Sequence, residues 1–208
     1  FHQKIKSQRN LDVQCPYDTE KGLSDLLEVM RVRSLVVGVG GAGNNTISRL
    51  QDAGLKGADS LNINTDAHDL YYSNANRKLL IGKDICHGEG SGNDPSIGLK
   101  AAREDVDRIS DSLKADIVFL TCGLGGGTGT GAAPIIAREA KENGAIVVTF
   151  CSIPFRAEGL QKRTRAKRGL KYLAKYSDTL IPLINDNLLQ IIPEAPLLTC
   201  FKIGRASC

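Results

Sequence analysis

A glycine-rich segment in the middle of the chain restricts the possible folds more than any other feature. Residues 123–131 read GLGGGTGTG, which is six glycines in nine residues. An apolar run at residues 117–120 precedes the segment, and a helical pattern at residues 132–142 follows it. Glycine costs backbone entropy and contributes little packing. The segment therefore predicts a loop whose backbone amides approach an anion at a helix N-terminus. A flexible linker is the alternative, but a linker needs no strand before it and no helix after it.

Apolar strand patterns alternate with helical patterns along the chain. The predicted strands are residues 34–39, 58–64, 78–81, 116–121, 145–151 and 179–183. The predicted helices follow Gly40 and cover residues 95–112, 132–142 and 157–176, and a polar loop covers residues 82–94. This order predicts an α/β fold with a doubly wound, mainly parallel six-stranded sheet and helices on both faces. Ligands of such sheets bind beyond the carboxyl ends of the strands.

The length of 208 residues suits one domain, which we place at residues 31–200. Residues 1–30 form a predicted N-terminal extension, in which Leu23, Leu26, Leu27 and Met30 recur at helical spacing. This spacing predicts a short amphipathic helix that docks on the domain. An arm used in self-association is the alternative.

Composition narrows the class of protein. No apolar run approaches the roughly 18 residues that span a membrane, and the N-terminus is too polar for a signal peptide, so we expect a cytoplasmic protein. The six cysteines form no CxxC pair, which favours reduced thiols over disulfides or zinc ligands. The three histidines lack metal-ligand spacing, so no protein metal site is expected. A net charge of +4 gives no reason to expect a nucleic-acid partner.

A second glycine motif follows the first predicted strand. Residues 38–43 read GVGGAG and match G-x-G-x-x-G between a strand and a helix. Asp66, at the end of the second predicted strand, lies where dinucleotide-binding proteins place the acid that holds a ribose. These two features alone would indicate a nicotinamide-dependent oxidoreductase. Asp66 as a simple turn residue is the alternative.

The two glycine loops together favour a different ligand. In a doubly wound sheet, the loops after the first and fourth strands meet at the point where the strand order reverses. Two loops suit a triphosphate better than a single pyrophosphate, and Thr128 and Thr130 could add hydroxyl donors and cap the following helix. No Lys follows the glycines, so the segment is not a Walker P-loop. Amides, helix dipoles and a Mg²⁺ ion would then balance the phosphate charge.

The glycine signature resembles that of one family. Residues 125–131, GGGTGTG, are similar to the signature of the tubulin/FtsZ family, the prokaryotic division GTPases and their relatives, in their archaeal forms above all. The resemblance extends in order over about residues 32–203, through residues 38–45 and 62–67, Pro154 with Phe155, Glu158 with Gly159, and Asn185 with Leu188.

The resemblance implies which residues bind GTP or GDP. The phosphate loops would be Gly41, Ala42, Gly43, Asn44 and Asn45 in the first and Gly125, Gly126, Gly127, Thr128, Gly129, Thr130 and Gly131 in the second. Asn45 would reach towards the guanine. The remaining contacts implied are Asn64, Thr65 and Asp66 along the nucleotide, Gly90, Ser91 and Gly92 at the γ-phosphate, Glu158 at the ribose, Lys162 near it, Asn185 at the base and Phe201 stacked on it. Glu158 as a carboxylate that stabilises a helix start is the alternative.

Three positions depart from the family pattern. Lys162 stands where the family usually has Arg, and lysine lacks the forked donor geometry. Arg205 stands where the family has an Asp that pairs with the guanine edge, so guanine specificity loses one support. The sequence also ends where the central helix of the family begins, so residues 201–208 would be only its start.

That third departure bears on catalysis. In the family, a later loop with the pattern Asn-x-Asp-x-x-Asp activates the attacking water in the site of the neighbouring subunit. We expect this chain to lack that catalytic loop and the C-terminal activating domain, and therefore to bind GTP or GDP but to hydrolyse GTP very slowly alone. The resemblance further implies cytoplasmic filaments for cell division, other division proteins as partners, and membrane contact only through adaptors. A GTP-dependent regulator that does not polymerise is the alternative, and the oxidoreductase is a remote one.

The predicted helix at residues 157–176 is strongly basic. It carries Lys162, Arg163, Arg165, Lys167, Arg168 and Lys171 beside an apolar stripe of Leu160, Leu170, Leu173 and Ala174. Such a pattern favours an amphipathic helix with a solvated charged face. A surface that binds an acidic partner, a polyanion or a membrane is the alternative.

Overall fold

The computed structural model describes Gly22 and residues 32–187. The chain divides into two compact units, Phe1–Val32 and Arg33–Cys208, and the sheet belongs to the second. The predictions for the N-terminal extension, for Phe201 and Arg205, and for the start of a central helix lie outside the described residues.

Six parallel strands form one sheet. They are β1 (Ser34–Val39), β2 (Asp59–Asn64), β3 (Arg77–Leu80), β4 (Ile117–Gly123), β5 (Ile146–Ile153) and β6 (Thr179–Ile184). Their order across the sheet is β3-β2-β1-β4-β5-β6, and every neighbouring pair is parallel. The order reverses between β1 and β4, which confirms the predicted doubly wound sheet and places the two glycine loops side by side.

Seven α-helices connect the strands in the described part of the chain. They are α1 (Gly40–Asp52), α2 (Ala67–Tyr72), α3 (Lys83–Cys86), α4 (Pro95–Glu104), α5 (Val106–Ser112), α6 (Thr128–Glu142) and α7 (Leu160–Tyr176). A single 3₁₀ turn, Arg156–Glu158, precedes α7.

Alternate residues of the strands face two different layers of helices. Leu35, Val118 and Leu120 belong to a core cluster with buried residues of α4, α5, α6 and α7. On the other face, α1 packs against β1, β2 and β4 and buries Ile47 completely. This face also carries an apolar cavity of about 440 Å³, whose walls include Val36 and Phe119. Helices therefore lie on both faces, as predicted.

Several predicted boundaries were wrong for identifiable reasons. The helix predicted at residues 95–112 is two helices, because Asp105 leaves helical geometry and its carboxylate accepts hydrogen bonds from the Gly82 amide at 2.8 Å and from Arg108. Residues 82–94 are not all loop, since they contain α3. The short helix α2 was not predicted. It begins where Asp66 accepts a hydrogen bond from the amide of Asp69 at 3.0 Å.

The apolar stripe of the basic helix and one edge of the sheet also differ from expectation. Of the predicted apolar stripe of α7, Leu173 is buried and Leu170 packs against the core, but Leu160 is 78% exposed and Ala174 is exposed. Ala166 and Gly169 complete the buried face of the helix. The sheet was predicted to carry helices on both faces, but strand β6 forms one edge of it and most residues of this strand are exposed.

The thiols follow the sequence prediction where the structure describes them. Cys86, Cys122 and Cys151 are free and buried. Cys122 and Cys151 are register partners on β4 and β5. Burial raises the pKa of Cys151 to about 11 and that of Cys122 well above its usual value. Thiolates are the reactive form of cysteine, so these two thiols are protonated and inert in the folded protein.

Asp94 caps α4, and its cap gives a prediction about acid. Its carboxylate accepts a hydrogen bond from the Ser96 amide at 2.8 Å, and this bond, with a smaller contribution from nearby cations, lowers the pKa of Asp94 below its usual 3.8. A depressed pKa stabilises the fold above the unfolded-state value, and this stabilisation disappears as the pH falls through the folded-state value.

We therefore expect Asp94→Ala to lower the free energy of unfolding at pH 7 and to lose this deficit below about pH 3.8. Asp94→Asn, which keeps a capping oxygen, should retain most of the stability at pH 7. Urea unfolding of the three proteins at several pH values measures the difference. A deficit in Asp94→Ala that stays constant down to about pH 3 would contradict this account.

Candidate functional site

A cavity of about 350 Å³ opens beyond the carboxyl ends of the central strands. Its walls come from five segments: the turns from β1 into α1, from β2 into α2 and from β4 into α6, the loop before α4, and the stretch from β5 into α7. The volume suits a small molecule. The position is the one at which doubly wound sheets bind ligands.

Two helix N-termini point into this cavity. The residues before the first turns of α1 and α6 are Val39 and Gly127, and neither supplies a side-chain cap. The two turns touch, because a Cβ on Gly40 would lie 3.0 Å from the backbone nitrogen of Gly129. The first amides of a helix have no partner within it, and the helix dipole makes this end positive. Two such ends around one cavity form a site for a strongly anionic ligand.

The glycines after β4 also pack against protein backbone, which the sequence did not reveal. A Cβ on Gly127 would collide with the Ser91 hydroxyl, and one on Gly131 would collide with the carbonyl oxygen of Pro95. A Cβ on Gly129 would meet the carbonyl oxygen of Gly123. Gly127 and Gly131 let the turn and α6 approach the start of α4 closely, and Gly129 lets α6 approach the end of β4. The expectation that the glycines contribute little packing was therefore wrong for half of them.

Gly126 differs from these three, because the nearest atom to a Cβ at this position would be the Asn93 side-chain oxygen at 3.8 Å. Gly126 lines the cavity. A side chain at Gly126 would therefore occupy space in the cavity and would not collide with the packed backbone.

The contrast between Gly131 and Gly126 is testable. Gly131→Ala should destabilise the protein by about 1–3 kcal/mol through overpacking, although alanine is the better helix former. Gly126→Ala should change the free energy of unfolding by less than about 0.5 kcal/mol. Urea denaturation of both variants checks this. Equal stabilities would show that the close contacts at Gly131 relax without cost.

The side chains of two threonines in this segment form hydrogen bonds within the protein and do not cap α6. The Thr130 hydroxyl accepts a hydrogen bond from the Gly125 amide at 2.8 Å. The Thr128 hydroxyl lies 2.7 Å from the Thr65 hydroxyl and 2.9 Å from the Ser91 hydroxyl, and all three residues are buried. The expected capping role is therefore wrong, and α6 begins at Thr128 rather than at residue 132. The periodic apolar pattern starts only after the glycines, so the sequence signal for the first turn was missing.

The turn after β2 brings acids to the cavity. Asn64 accepts a hydrogen bond from the Thr65 amide at 2.9 Å and shapes the turn. Asp66 caps α2 and also lines the cavity, as does Asp69. The pattern Asn-x-Asp-x-x-Asp was expected to be missing, but residues 64–69 fit it. It occurs here at the end of β2 and not in a later loop.

Some predicted site residues lie behind the cavity wall. Gly43 packs α1 against β1 and β4, because a Cβ there would collide with the Thr121 carbonyl oxygen. Asn44 is 1% exposed, and its amide can donate to the Gly38 carbonyl at 3.1 Å and accept from Asn64 at 3.0 Å. Both residues hold the first turn of α1 in position.

Glu158 and Lys162 form an ion pair on the cavity wall. The Lys162 ammonium lies 3.0 Å from one carboxylate oxygen of Glu158, and the Phe155 amide donates to the other at 2.9 Å. Glu158 thus fixes the turn before α7, in line with the alternative role considered for it, and it also faces the cavity. Lys162 brings a positive charge to the same wall.

Thirteen of the predicted residues line the cavity: Gly41, Ala42, Asn64, Asp66, Gly90, Ser91, Gly92, Gly126, Gly127, Thr128, Gly129, Glu158 and Lys162. Those placed outside its lining are Gly43, Asn44, Asn45, Thr65, Gly125, Thr130, Gly131 and Asn185. The lining residues that were not assigned to the nucleotide are Asp69, Glu89, Asn93 and Pro154, together with Val39, Gly40, Gly123 and Leu124, which belong to the two glycine segments predicted to bind an anion. Most are direct neighbours of predicted residues. Asp69 had a signal of its own, the spacing of residues 64–69.

The described residues contain no group of three or more His, Cys, Asp or Glu side chains that could hold a metal ion alone. A Mg²⁺ ion in this cavity would therefore need oxygens of the ligand, and Asp66 and Asp69 are the type of carboxylate that Mg²⁺ takes together with phosphates. Among the same residues, no helix combines the length and apolar character that crossing a membrane requires.

The fold and the site define a class, namely doubly wound α/β domains with a cavity suited to an anionic ligand between two helix N-termini, where the strand order reverses. The model of the Tubulin/FtsZ family, GTPase domain, matches residues 33–193. The chain therefore belongs to the tubulin/FtsZ family.

Curated and solved relatives agree with this assignment. Cell division protein FtsZ of Methanothermobacter thermautotrophicus is 49% identical over 188 residues, which are 90% of this chain and 49% of that protein. An empty FtsZ dimer from M. jannaschii matches with a TM-score of 0.84 at 44% identity, over 89% of this chain and 54% of that one. CetZ2 from Haloferax volcanii, a GTPγS-bound protofilament, matches with a TM-score of 0.74 at 26% identity, over 84% and 55%. The chain thus spans about half the length of its relatives.

Proposed function

We propose that this chain is the nucleotide-binding part of an FtsZ-type cell-division GTPase and binds GTP and GDP in the cavity between α1 and α6. The observation that carries the proposal is the meeting of two uncapped helix N-termini at one cavity. Backbone amides and two aligned dipoles suit a chain of phosphates. The GTPγS bound to the related CetZ2 supports a guanine nucleotide as the ligand.

Different residues around the cavity would contact different parts of the nucleotide. The amides of Gly41, Ala42, Gly126 and Gly127 would take the phosphates, because these residues line the cavity at the two helix ends. Glu158 would accept hydrogen bonds from the ribose hydroxyls. The family resemblance assigns the base to Asn45, Asn185 and Phe201. Asn45 and Asn185 are not among the lining residues, and Phe201 lies outside the described residues.

A Mg²⁺ ion would be held jointly by the phosphates and by Asp66 or Asp69. Mg²⁺ binds through one or two carboxylates and substrate phosphates rather than in a cage of protein ligands, which fits these two acids. When bound, the ion supplies charge neutralisation on the phosphate oxygens. The protein holds the acids in place through the cap that Asp66 forms on α2.

We further propose that hydrolysis by this chain alone is very slow. In the family, the acids that activate water belong to a loop of the neighbouring subunit, so the complete site is assembled only by self-association. The acids of residues 64–69 are tied to the start of α2, where Asp66 is a helix cap, and they share the pocket with the phosphates. Asp66 and Asp69 are therefore suited to binding the ligand in their own cavity and not to activating water in the site of a neighbouring subunit.

In the full-length protein, the domain would polymerise with GTP into cytoplasmic filaments that act in cell division. The dimeric FtsZ and the protofilament of CetZ2 among its relatives support self-association. Other division proteins and membrane adaptors would be its partners, and no nucleic acid is required. Light scattering with GTP on a full-length form separates this filament from a regulator that remains monomeric.

The identity of the ligand is the first test. Chromatography of the supernatant after heat denaturation, with GTP, GDP and NAD offered in equal amounts to the folded protein, should release guanine nucleotide and no NAD. Retention of NAD in place of guanine nucleotide would overturn the proposal. A GTP turnover rate in the isolated chain equal to that of a full-length relative would contradict the claim of slow hydrolysis.

The charge at the cavity wall provides a second test. Lys162→Met should weaken GTP binding by up to roughly fivefold, because an exposed cation contributes up to about 1 kcal/mol. The effect should shrink at high salt, since salt screens exposed charges. Lys167→Met, an exposed position on the same helix, removes the same charge away from the cavity and should leave binding unchanged. Equal losses in both variants would mean that Lys162 acts only through net charge.

A further inference from the structure

One wall of the cavity is a loop with strained backbone geometry. Gly90, Ser91, Gly92 and Asn93 all line the cavity. Gly90, Gly92 and Asn93 have φ angles of +84°, +57° and +59°. Glycine adopts such angles freely, but for Asn93 the left-handed conformation costs energy. A wall of this shape keeps its geometry only when contacts from outside hold it.

The inner side of the loop is held by hydroxyl groups. The Ser91 hydroxyl lies 2.9 Å from that of Thr128, and Thr128 lies 2.7 Å from Thr65. Because all three residues are buried, losing one partner would leave an unsatisfied polar group. This chain of hydroxyls fixes the middle of the loop against the first turn of α6.

The outer side of the loop is held by α7. The Arg165 guanidinium donates a hydrogen bond from Nη1 to the carbonyl oxygen of Asn93 at 2.8 Å. Arg165 does not line the cavity, so it reaches the strained residue from behind the wall. Hydrogen bonds from a charged donor are stronger than neutral ones. The bond therefore stabilises the left-handed conformation of Asn93, which ends the loop just before α4.

We propose that Arg165 is a positioning residue that holds the loop of residues 90–93 in the shape that receives the terminal phosphate of GTP. The inference rests on the proposed function and on the family resemblance, which implies that Gly90, Ser91 and Gly92 contact the γ-phosphate. GDP lacks the γ-phosphate and so would not make this contact. Arg165 therefore contributes to binding of GTP and not of GDP, and it sets the preference of the cavity for the triphosphate.

The basic helix supplies a matched control for this role. Arg168 lies one turn beyond Arg165 on α7 and is exposed, and its side chain makes no hydrogen bond or ion pair with any residue that the structure describes. Arg165→Gln and Arg168→Gln remove the same charge from the same helix. Long-range electrostatic effects on the phosphates are thus similar in the two variants, and only the first loses the contact with Asn93.

The experiment measures dissociation constants of GTP and GDP for the full chain by competition with a fluorescent guanine nucleotide. Thermal melts confirm that each variant is folded. We expect Arg165→Gln to weaken GTP binding by roughly three- to tenfold and GDP binding by less than about twofold. Arg168→Gln should leave both constants within about twofold of the wild type. Arg165→Lys, which keeps the charge but has a single donor head, should fall between.

Three results would overturn the inference. A loss of GTP and GDP binding by the same factor in Arg165→Gln would indicate a general structural defect. Equal effects of Arg165→Gln and Arg168→Gln would leave charge as the whole explanation. If Arg165→Gln does not fold, Arg165→Lys with an unchanged ratio of GTP to GDP affinity overturns the inference as well. A wild type that binds neither nucleotide would instead refute the proposed function, and this inference with it.

Discussion

Close contact between backbones at the glycine-rich turn is the constraint on which the rest of the site depends. Gly127 and Gly131 let residues 91–99 approach the first turn of α6 at distances that a methyl group would prevent. The contact joins the loop before α4 to the turn after β4, and both line the cavity. A protein interior is close-packed, so such a contact transmits strain rather than absorbing it. The position of one wall is therefore determined by the position of the other.

This constraint separates two roles that glycine has in the same segment. At Gly126, the missing side chain leaves space for a ligand, whereas at Gly129 and Gly131 it leaves space for the protein itself. A sequence shows only that glycines are present. Which of them faces the ligand depends on the neighbouring backbone, which at Gly127 and Gly131 comes from the distant loop and helix start at residues 91–99.

The overall fold and much of the site were predictable because their signals are local and repeated. The strand patterns located β1 to β6 within about two residues at each end. The glycine loops and Asp66 could be placed because the carboxyl ends of all parallel strands lie at the same end of the sheet. The errors arose where tertiary contacts override local propensity, as where Asp105 interrupts a helical pattern by binding Gly82. Glu89 could not be found from a local motif, and Pro154, although part of a segment that resembles the family, was not recognised as a lining residue. Their proximity results from how separate turns fold over the carboxyl ends of the strands.

The paired cysteines below the glycine turn have a practical consequence. Cys122 and Cys151 occupy the same level of β4 and β5, immediately before the segments that lead to the cavity. Their burial keeps the thiols unreactive for as long as this end of the sheet stays closed. The rate at which an alkylating reagent modifies Cys122 and Cys151 consequently measures how often this end of the sheet opens locally. Cys122 and Cys151 thus serve as chemical reporters next to the cavity, and no cysteine has to be introduced for the measurement.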